Sequence, residues 1–293
     1  MDLQFLFEEP INEIVELSPG YEDHASDVWS VKTDNQEVVV RSSRLKEESN
    51  NEFWWGCRKL FGIDPRQVHE LEHVNNKLSD LSSIPVPRVI NKGKAFEREF
   101  VVVEKLKGKV VQSFIDQPSS VLQSLGEGLA KIHTYNENYI GNPSGSFNVR
   151  LEDFHQHVKD IIAELVSMFY LDQERIKDKL LEINDLLDKL PAPESSTFVL
   201  VDMDPTQFLA DSKVITGLVD TEAYVIAPRE LDFIALEYVL DEKAAMSFKA
   251  GYESVMEIPN LTLCRTAYRY LYRLLSVQGS VDIDDWINHK TLF

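Results

Sequence analysis

The sequence predicts an α+β chain in two parts, a sheet-rich first part over residues 1–105 and a mainly helical second part over residues 106–293. Three observations carry this. Between Val28 and Glu104, short β-branched runs alternate with turn-rich segments, as antiparallel strands do. From Ser119 to Leu190, apolar residues recur at spacings of three and four, the period of helices. Around residues 198–219 the pattern drops back to short strands, and helices resume after Pro228.

The elements follow in order. Residues 1–18 read as a short helix leading into a strand, and Ser18-Pro19-Gly20 punctuates it. Val28–Lys32 and Glu37–Arg41, joined by Thr33-Asp34-Asn35-Gln36, read as a hairpin. Residues 45–66, with Trp54 and Trp55, read as an insertion. Val68, Leu71, Val74, Leu78 and Leu81 mark a helix that Ile84-Pro85-Val86-Pro87 ends. Arg88–Ile90 and Phe100–Glu104 are two more strands. Ser119–His133 is a helix with Ser119 or Ser120 as its N-cap, and two further helices run to Pro191. Phe198–Val201, Gln207–Ala210 and Val214–Val219 are strands of the insert, expected to bring their ends together at one edge of a tight hairpin. Helices are expected over 231–241, 242–254 and 261–277.

Composition bounds the function. A chain of 293 residues, 43% hydrophobic, is long enough to bury a large core. With 30 basic against 49 acidic residues and a net charge of −19, a nucleic-acid footprint or an anionic membrane surface is disfavoured. No apolar run approaches the roughly 20 residues of a bilayer span, and Met1–Glu9 lacks the order of a signal peptide. Cys57 and Cys264 build neither a disulfide framework nor a four-ligand zinc site, so the expected setting is the reducing cytoplasm. The acidic balance suits a cationic partner.

The segment that carries chemistry is Phe198-Val-Leu-Val-Asp-Met-Asp-Pro-Thr-Gln-Phe-Leu209, followed by Gly217-Leu-Val-Asp-Thr-Glu222. Asp202 follows an apolar strand, Gln207 opens the next, and Asp220 ends the third. A single carboxylate after a strand is ordinarily a turn residue. Three such groups on strand–loop–strand–turn–strand point instead to a shared site.

This segment resembles the catalytic loop of the aminoglycoside phosphotransferase and choline kinase family. The resemblance implies a two-lobed protein-kinase-like fold, with an N-lobe over 1–105 and a helical C-lobe over 106–293. It implies ATP and Mg²⁺ as cofactors and a small-molecule hydroxyl as acceptor, such as an aminoglycoside, amino alcohol or sugar. By position, Asp202 matches the catalytic Asp, Gln207 and Asp220 the metal ligands, and Asp232 the Asp that opens the next helix. Gly20 to Asp27, including Ser26, resembles the phosphate-covering loop. Arg41 stands where the family places a cation on the phosphates, with Glu70 as its expected pairing partner. Val102–Leu106 resembles the adenine-binding hinge, which puts Glu104 and Leu106 at the nucleotide, and the helix ending at His133 resembles the family's Leu-His helix. Asp204 and Glu222 are expected to face a cationic acceptor.

The departures are specific. Leu200-Val201 replaces His-Gly before Asp202, Gln207 replaces Asn, and the nucleotide loop has one glycine, Gly20. They motivate a second reading, a kinase-like protein that binds nucleotide without turnover. Asp202-Met-Asp-Pro-Thr206 also matches the opening motif of haloacid-dehalogenase-like phosphatases, with Asp284-Asp285 as the late acidic pair. That fold needs the motif at the head of a parallel α/β unit.

Overall fold

The computed structural model describes residues 2–17 and 25–293, and Gly20 lies outside the described residues. A 3₁₀ turn at Gln4–Leu6 precedes β1 (Glu13–Glu16). β2 (Ser26–Lys32) and β3 (Glu37–Ser43) form the expected hairpin, with Val28 opposite Arg41. With β4 (Val89–Ala95) and β5 (Arg98–Glu104) they make an antiparallel sheet in the order β1-β2-β3-β5-β4. Alternation along the strands sorts its faces. Trp29, Val31, Val38, Val40, Phe100 and Val102 pack with Leu3 and Leu6 on one side. Val101 and Val103 pack with Val68 and Leu71 on the other, and Arg41, one step from Val40, shares that second face.

The segment expected only as an insertion holds a helix, α1 (Glu52–Phe61). Its ends are built from local chemistry. The Asn51 side chain accepts the Trp54 N–H at 2.8 Å, and Gly62 closes the helix at φ 69°, a left-handed position suited to glycine. Trp55, Cys57, Leu60 and Phe61 enter the large core of the helical part rather than the core of the sheet. Trp55 meets Phe169 edge-on with ring centroids 5.9 Å apart. Residues 52–61 therefore belong by sequence to the first part and by packing to the second. The expected helix at 68–81 is a 3₁₀ turn (Val68–Glu70) running into α2 (Leu71–Leu81).

The helical part follows. β6 (Lys109–Val110) leads to α3 (Ser119–His133), whose N-cap is Pro118 with no side-chain cap, not Ser119 or Ser120. β7 (Tyr139–Gly141) and β8 (Asn148–Arg150) precede α4 (Phe154–Phe169) and α5 (Glu174–Leu187). Then come β9 (Thr197–Leu200), β10 (Phe208–Ala210), β11 (Ile215–Leu218) and β12 (Tyr224–Ala227). α6 (Glu230–Val239), α7 (Glu242–Tyr252), α8 (Arg265–Leu274) and α9 (Ile283–Ile287) complete the chain.

One expectation is corrected here. The three strands around Asp202 do not form one hairpin. β9 pairs with β12 in the sheet β8-β7-β12-β9, whereas β10 pairs with β11 on one side and β6 on the other in a separate sheet. The reason is the loop between them. Asp204 caps a 3₁₀ turn with Pro205 at its first position, and that turn takes the chain out of register with β9. The same pairing removes the phosphatase reading, because Asp202 heads no parallel strand: β9 is bound to antiparallel β12.

Candidate active site

Asp202 leaves β9 just past the Val201–Ala223 backbone bond of 3.2 Å. The position of that strand end is braced from below. Asp232, fully buried in the first turn of α6, accepts the Leu200 N–H at 2.9 Å on one oxygen and pairs with His133 Nε2 at 2.9 Å on the other. His133 in turn meets the Tyr252 hydroxyl at 2.8 Å. The helix-ending histidine and the downstream Asp thus form one buried brace under the residue pair that replaces His-Gly.

Gln207 lies beside Asp202. Its Nε2 donates to the Asp202 carboxylate at 3.0 Å, while its Oε1 is buried and has no partner in the protein. Backbone pairing explains why Gln207 and Asp220 are neighbours. Phe208 faces Leu218 across β10–β11, and the Val219 N–H donates to the Gln207 carbonyl at 2.8 Å, which sets Asp220 one step beyond. A Cβ at Gly217 in this hairpin would come within 2.9 Å of Leu106 Cδ1, so Leu106, two residues past β5, lies against the β10–β11 hairpin.

The acidic surroundings act on Asp202. Burial first, then the charges of Asp220 and Asp204, push its carboxyl up to about 7, against the opposing hydrogen bond from Gln207. Asp204 itself is committed to the turn, its Oδ1 accepting the Thr206 N–H at 2.7 Å and the Thr206 hydroxyl at 2.5 Å. That is the geometry of a turn-holding carboxylate rather than of a group presented to an acceptor.

Arg41 reaches this site from the sheet lobe, but its expected partner is corrected. Nη2 meets Asp220 Oδ1 at 2.9 Å and Glu222 Oε1 at 2.9 Å, Nε donates to Glu222 Oε1 at 3.1 Å, and Nη1 donates to the Val219 carbonyl at 2.8 Å. Glu70 is exposed at the start of α2 and takes no part in these pairs. It lines a cleft with Asp64, Leu71, Asn142, Thr221 and Glu222. The helix that carries Glu70 presents Leu71 and Val68 to the Arg41 face of the sheet instead. Glu222, expected to face an acceptor, has a buried side chain whose second oxygen accepts the Ser26 hydroxyl at 2.6 Å. Burial alone would lower the Arg41 pKa, but Asp220 and Glu222 carry it above its ordinary value. Burial raises Glu222 despite the opposing charge of Arg41.

Two features were missed. Asn75 is buried on α2, where it accepts the Thr221 hydroxyl at 2.5 Å and donates to the Pro87 carbonyl at 2.8 Å, tying α2 to the Asp220–Glu222 segment. The signal was present: Asn75 falls four residues after Leu71 and three before Leu78, on the apolar face. Lys105, between Glu104 and Leu106, donates to Ser30 Oγ at 3.0 Å and Glu37 at 2.6 Å across the sheet edge. Glu104 is half-exposed and pairs with Arg88 at 3.0 Å. Cys57 and Cys264 are free and buried, and burial raises both thiols, Cys264 to about 12.

The site fits a metal only in part by itself. Among the described residues no group of three His, Cys, Asp or Glu side chains converges on one point. The orphaned Gln207 oxygen and the neighbouring Asp220 carboxylate offer hard oxygen donors, as Mg²⁺ requires when phosphate and water supply the rest.

An antiparallel-sheet lobe whose cation meets carboxylates on a mainly helical lobe is the arrangement of a two-lobed protein-kinase-like fold. The profile of the phosphotransferase enzyme family known as APH matches residues 16–257, and the chain belongs to that family. A search of curated proteins found no match. Among solved structures, the GDP complex of a point mutant of aminoglycoside 2'-phosphotransferase-IIIa is similar at TM-score 0.64 and 16% identity, over 95% of this chain and 88% of that one. Macrolide 2'-phosphotransferase MphH from Brachybacterium faecium is similar at TM-score 0.62 and 12% identity, over 97% and 95%. A putative fructosamine-3-kinase from Haemophilus somnus 129PT is similar at TM-score 0.62 and 15% identity, over 96% and 91%. At these identities the likeness is one of fold. Among the described residues no helix is long and apolar enough to cross a membrane.

Proposed function

We propose that the protein is a Mg²⁺- and ATP-dependent kinase that transfers the γ-phosphoryl group to a hydroxyl of a small molecule. The observation that carries this is the Asp202–Gln207 hydrogen bond beside an unpartnered Gln207 oxygen and the Arg41–Asp220 pair. Base, metal donors and phosphate cation come from β9, β10, β11 and β3 and meet between the lobes.

In this reading Asp202 accepts the proton of the acceptor O–H as its oxygen attacks the γ-phosphorus, and the bond from that phosphorus to the bridging oxygen of ADP breaks. A carboxyl near 7 in the metal-free protein is matched to proton transfer at neutral pH. Gln207 holds Asp202 in orientation through Nε2 and, with Asp220, would hold Mg²⁺. The cation supplies charge neutralisation on the phosphates. Arg41 presents a guanidinium whose donors are partly engaged, so it meets the α/β phosphates by exchanging Asp220 for a phosphate oxygen. Glu104 and Leu106 offer backbone groups to the purine, and Ser26 adjoins the phosphate-covering segment.

The acceptor class is an aminoglycoside, amino alcohol or sugar. The similar structures named above are, by name, phosphotransferases of aminoglycosides and macrolides and a putative kinase of fructosamine. A preference for a cationic acceptor loses its two expected contacts, since Asp204 is tied to Thr206 and Glu222 to Arg41 and Ser26. An acceptor screen coupled to ADP release tests the proposal. Turnover that depends on Mg²⁺ and vanishes in Asp202→Asn is expected. Mg·ATP binding without turnover across the panel would favour the nucleotide-binding reading, and full activity in Asp202→Asn would refute the mechanism.

A further inference from the structure

We infer that Glu222 is the positioning residue of the Arg41 guanidinium, the role that sequence position assigns to Glu70. The inference rests on the kinase reading above and deepens it. Arg41 has two carboxylates against it, and they differ in how they are held. The Glu222 side chain is 7% exposed and grips Arg41 through both Nε and Nη2. Its other oxygen is fixed by the Ser26 hydroxyl on β2. Asp220 is 42% exposed and touches Arg41 through Nη2 alone. Glu222 therefore stays with the guanidinium when Asp220 turns to a cation, and the Nη2 position that Asp220 vacates faces a phosphate oxygen. The arrangement also ties β2 and β3 of the sheet lobe to the segment that carries Asp220, so clamp and metal donor move together. Glu70, exposed on the neighbouring cleft, contributes no pair to Arg41.

The sign of the effect separates positioning from bulk charge. A carboxylate beside a nucleotide repels it, so a purely electrostatic role predicts tighter binding once Glu222 is removed. A positioning role predicts weaker binding, because Arg41 loses the partner that aims it. The experiment is calorimetric titration of purified protein with Mg·AMP-PNP, which needs no acceptor. Glu222→Ala is expected to weaken binding tenfold or more. Glu222→Gln, which keeps an oxygen acceptor of the same reach, is expected to recover most of that loss and guards against misfolding of the alanine variant. Glu70→Ala is expected to stay within twofold of wild type. Equal or tighter binding in Glu222→Ala, or an equal loss in Glu70→Ala, overturns the inference. A urea-unfolding cycle of Arg41→Met, Glu222→Ala and the double variant, in chelator, reads the anchoring without nucleotide. The double variant is expected to unfold near the midpoint of the weaker single variant, and additive shifts overturn the pairing. A wild-type protein that binds no Mg·AMP-PNP defeats the kinase reading, and the urea cycle alone then decides the anchoring.

Discussion

Replacing Asp202 by Asn in the metal-free protein tests the electrostatics of the site without any substrate. The Asp202 carboxyl stands at about 7, against 3.8 for the free group. A shift of roughly three units at about 1.36 kcal/mol each sets an upper bound near 4 kcal/mol on what ionising Asp202 costs the fold. Partial exposure and coupling to Asp220 reduce this to about 1–3 kcal/mol. The sign follows from proton counting. Between pH 4 and 7 the native state keeps a proton that the unfolded chain releases, so the wild type loses stability as pH rises through that window, and nothing further is lost above about 7. Asn at 202 has no proton to release and still accepts the Gln207 amide. In EDTA, Asp202→Asn is therefore expected to melt about 2–6 °C above wild type at pH 8, taking roughly 2 °C per kcal/mol for a chain of this size. The gap should widen from pH 5 to pH 7 and then level off. Thermal melts by circular dichroism across pH 5–8.5 measure it. A gap that ignores pH, or a variant less stable than wild type at pH 8, refutes the reasoning.

Other variants probe the scaffold around the site. Trp55→Ala removes an indole from the helical core and is expected to cost about 3–5 kcal/mol in urea unfolding, whereas a loss below about 1 kcal/mol would show that α1 is not part of that core. Asn75→Ala leaves the Thr221 hydroxyl and the Pro87 carbonyl without their shared partner, and a loss of about 1–3 kcal/mol is expected, with no loss if the link is idle. His133→Ala strands buried Asp232 and is expected to destabilise by about 3–5 kcal/mol, with Asp232→Asn/His133→Ala recovering part of it. Chelation of Mg²⁺ is expected to weaken nucleotide binding at least tenfold, since Asp220 and Glu222 then hold Arg41 between them; equal binding with and without EDTA would count against that picture.

Much of the site was legible because its residues sit at strand ends, and strand ends are marked by local pattern. Asp202 after Phe198–Val201, Gln207 before Phe208 and Asp220 after Leu218 stand where alternation and turn residues put them. Helix α1 carries its signals, with Phe53, Cys57, Leu60 and Phe61 at helical spacing and Asn51 and Gly62 at its caps, inside a segment that the sequence analysis expected only as an insertion. β12 was missed for a different reason. Tyr224–Ala227 is a short apolar run buried on both faces, with no alternation to distinguish it from loop.

What the sequence alone determined was the two-part α+β architecture and the placing of its main strands and helices, with α1, β7, β8 and β12 left unmarked. These follow from period, turn chemistry and composition, which act over a few neighbouring residues. Only the tertiary structure decided who meets whom. Arg41 pairs with Glu222, 181 residues away, and not with Glu70 on the next helix, because burying a guanidinium demands the partner that is itself buried and oriented. β9 joins β12 instead of β10 for the same kind of reason, since pairing across a sheet is set by which backbone edges packing brings together.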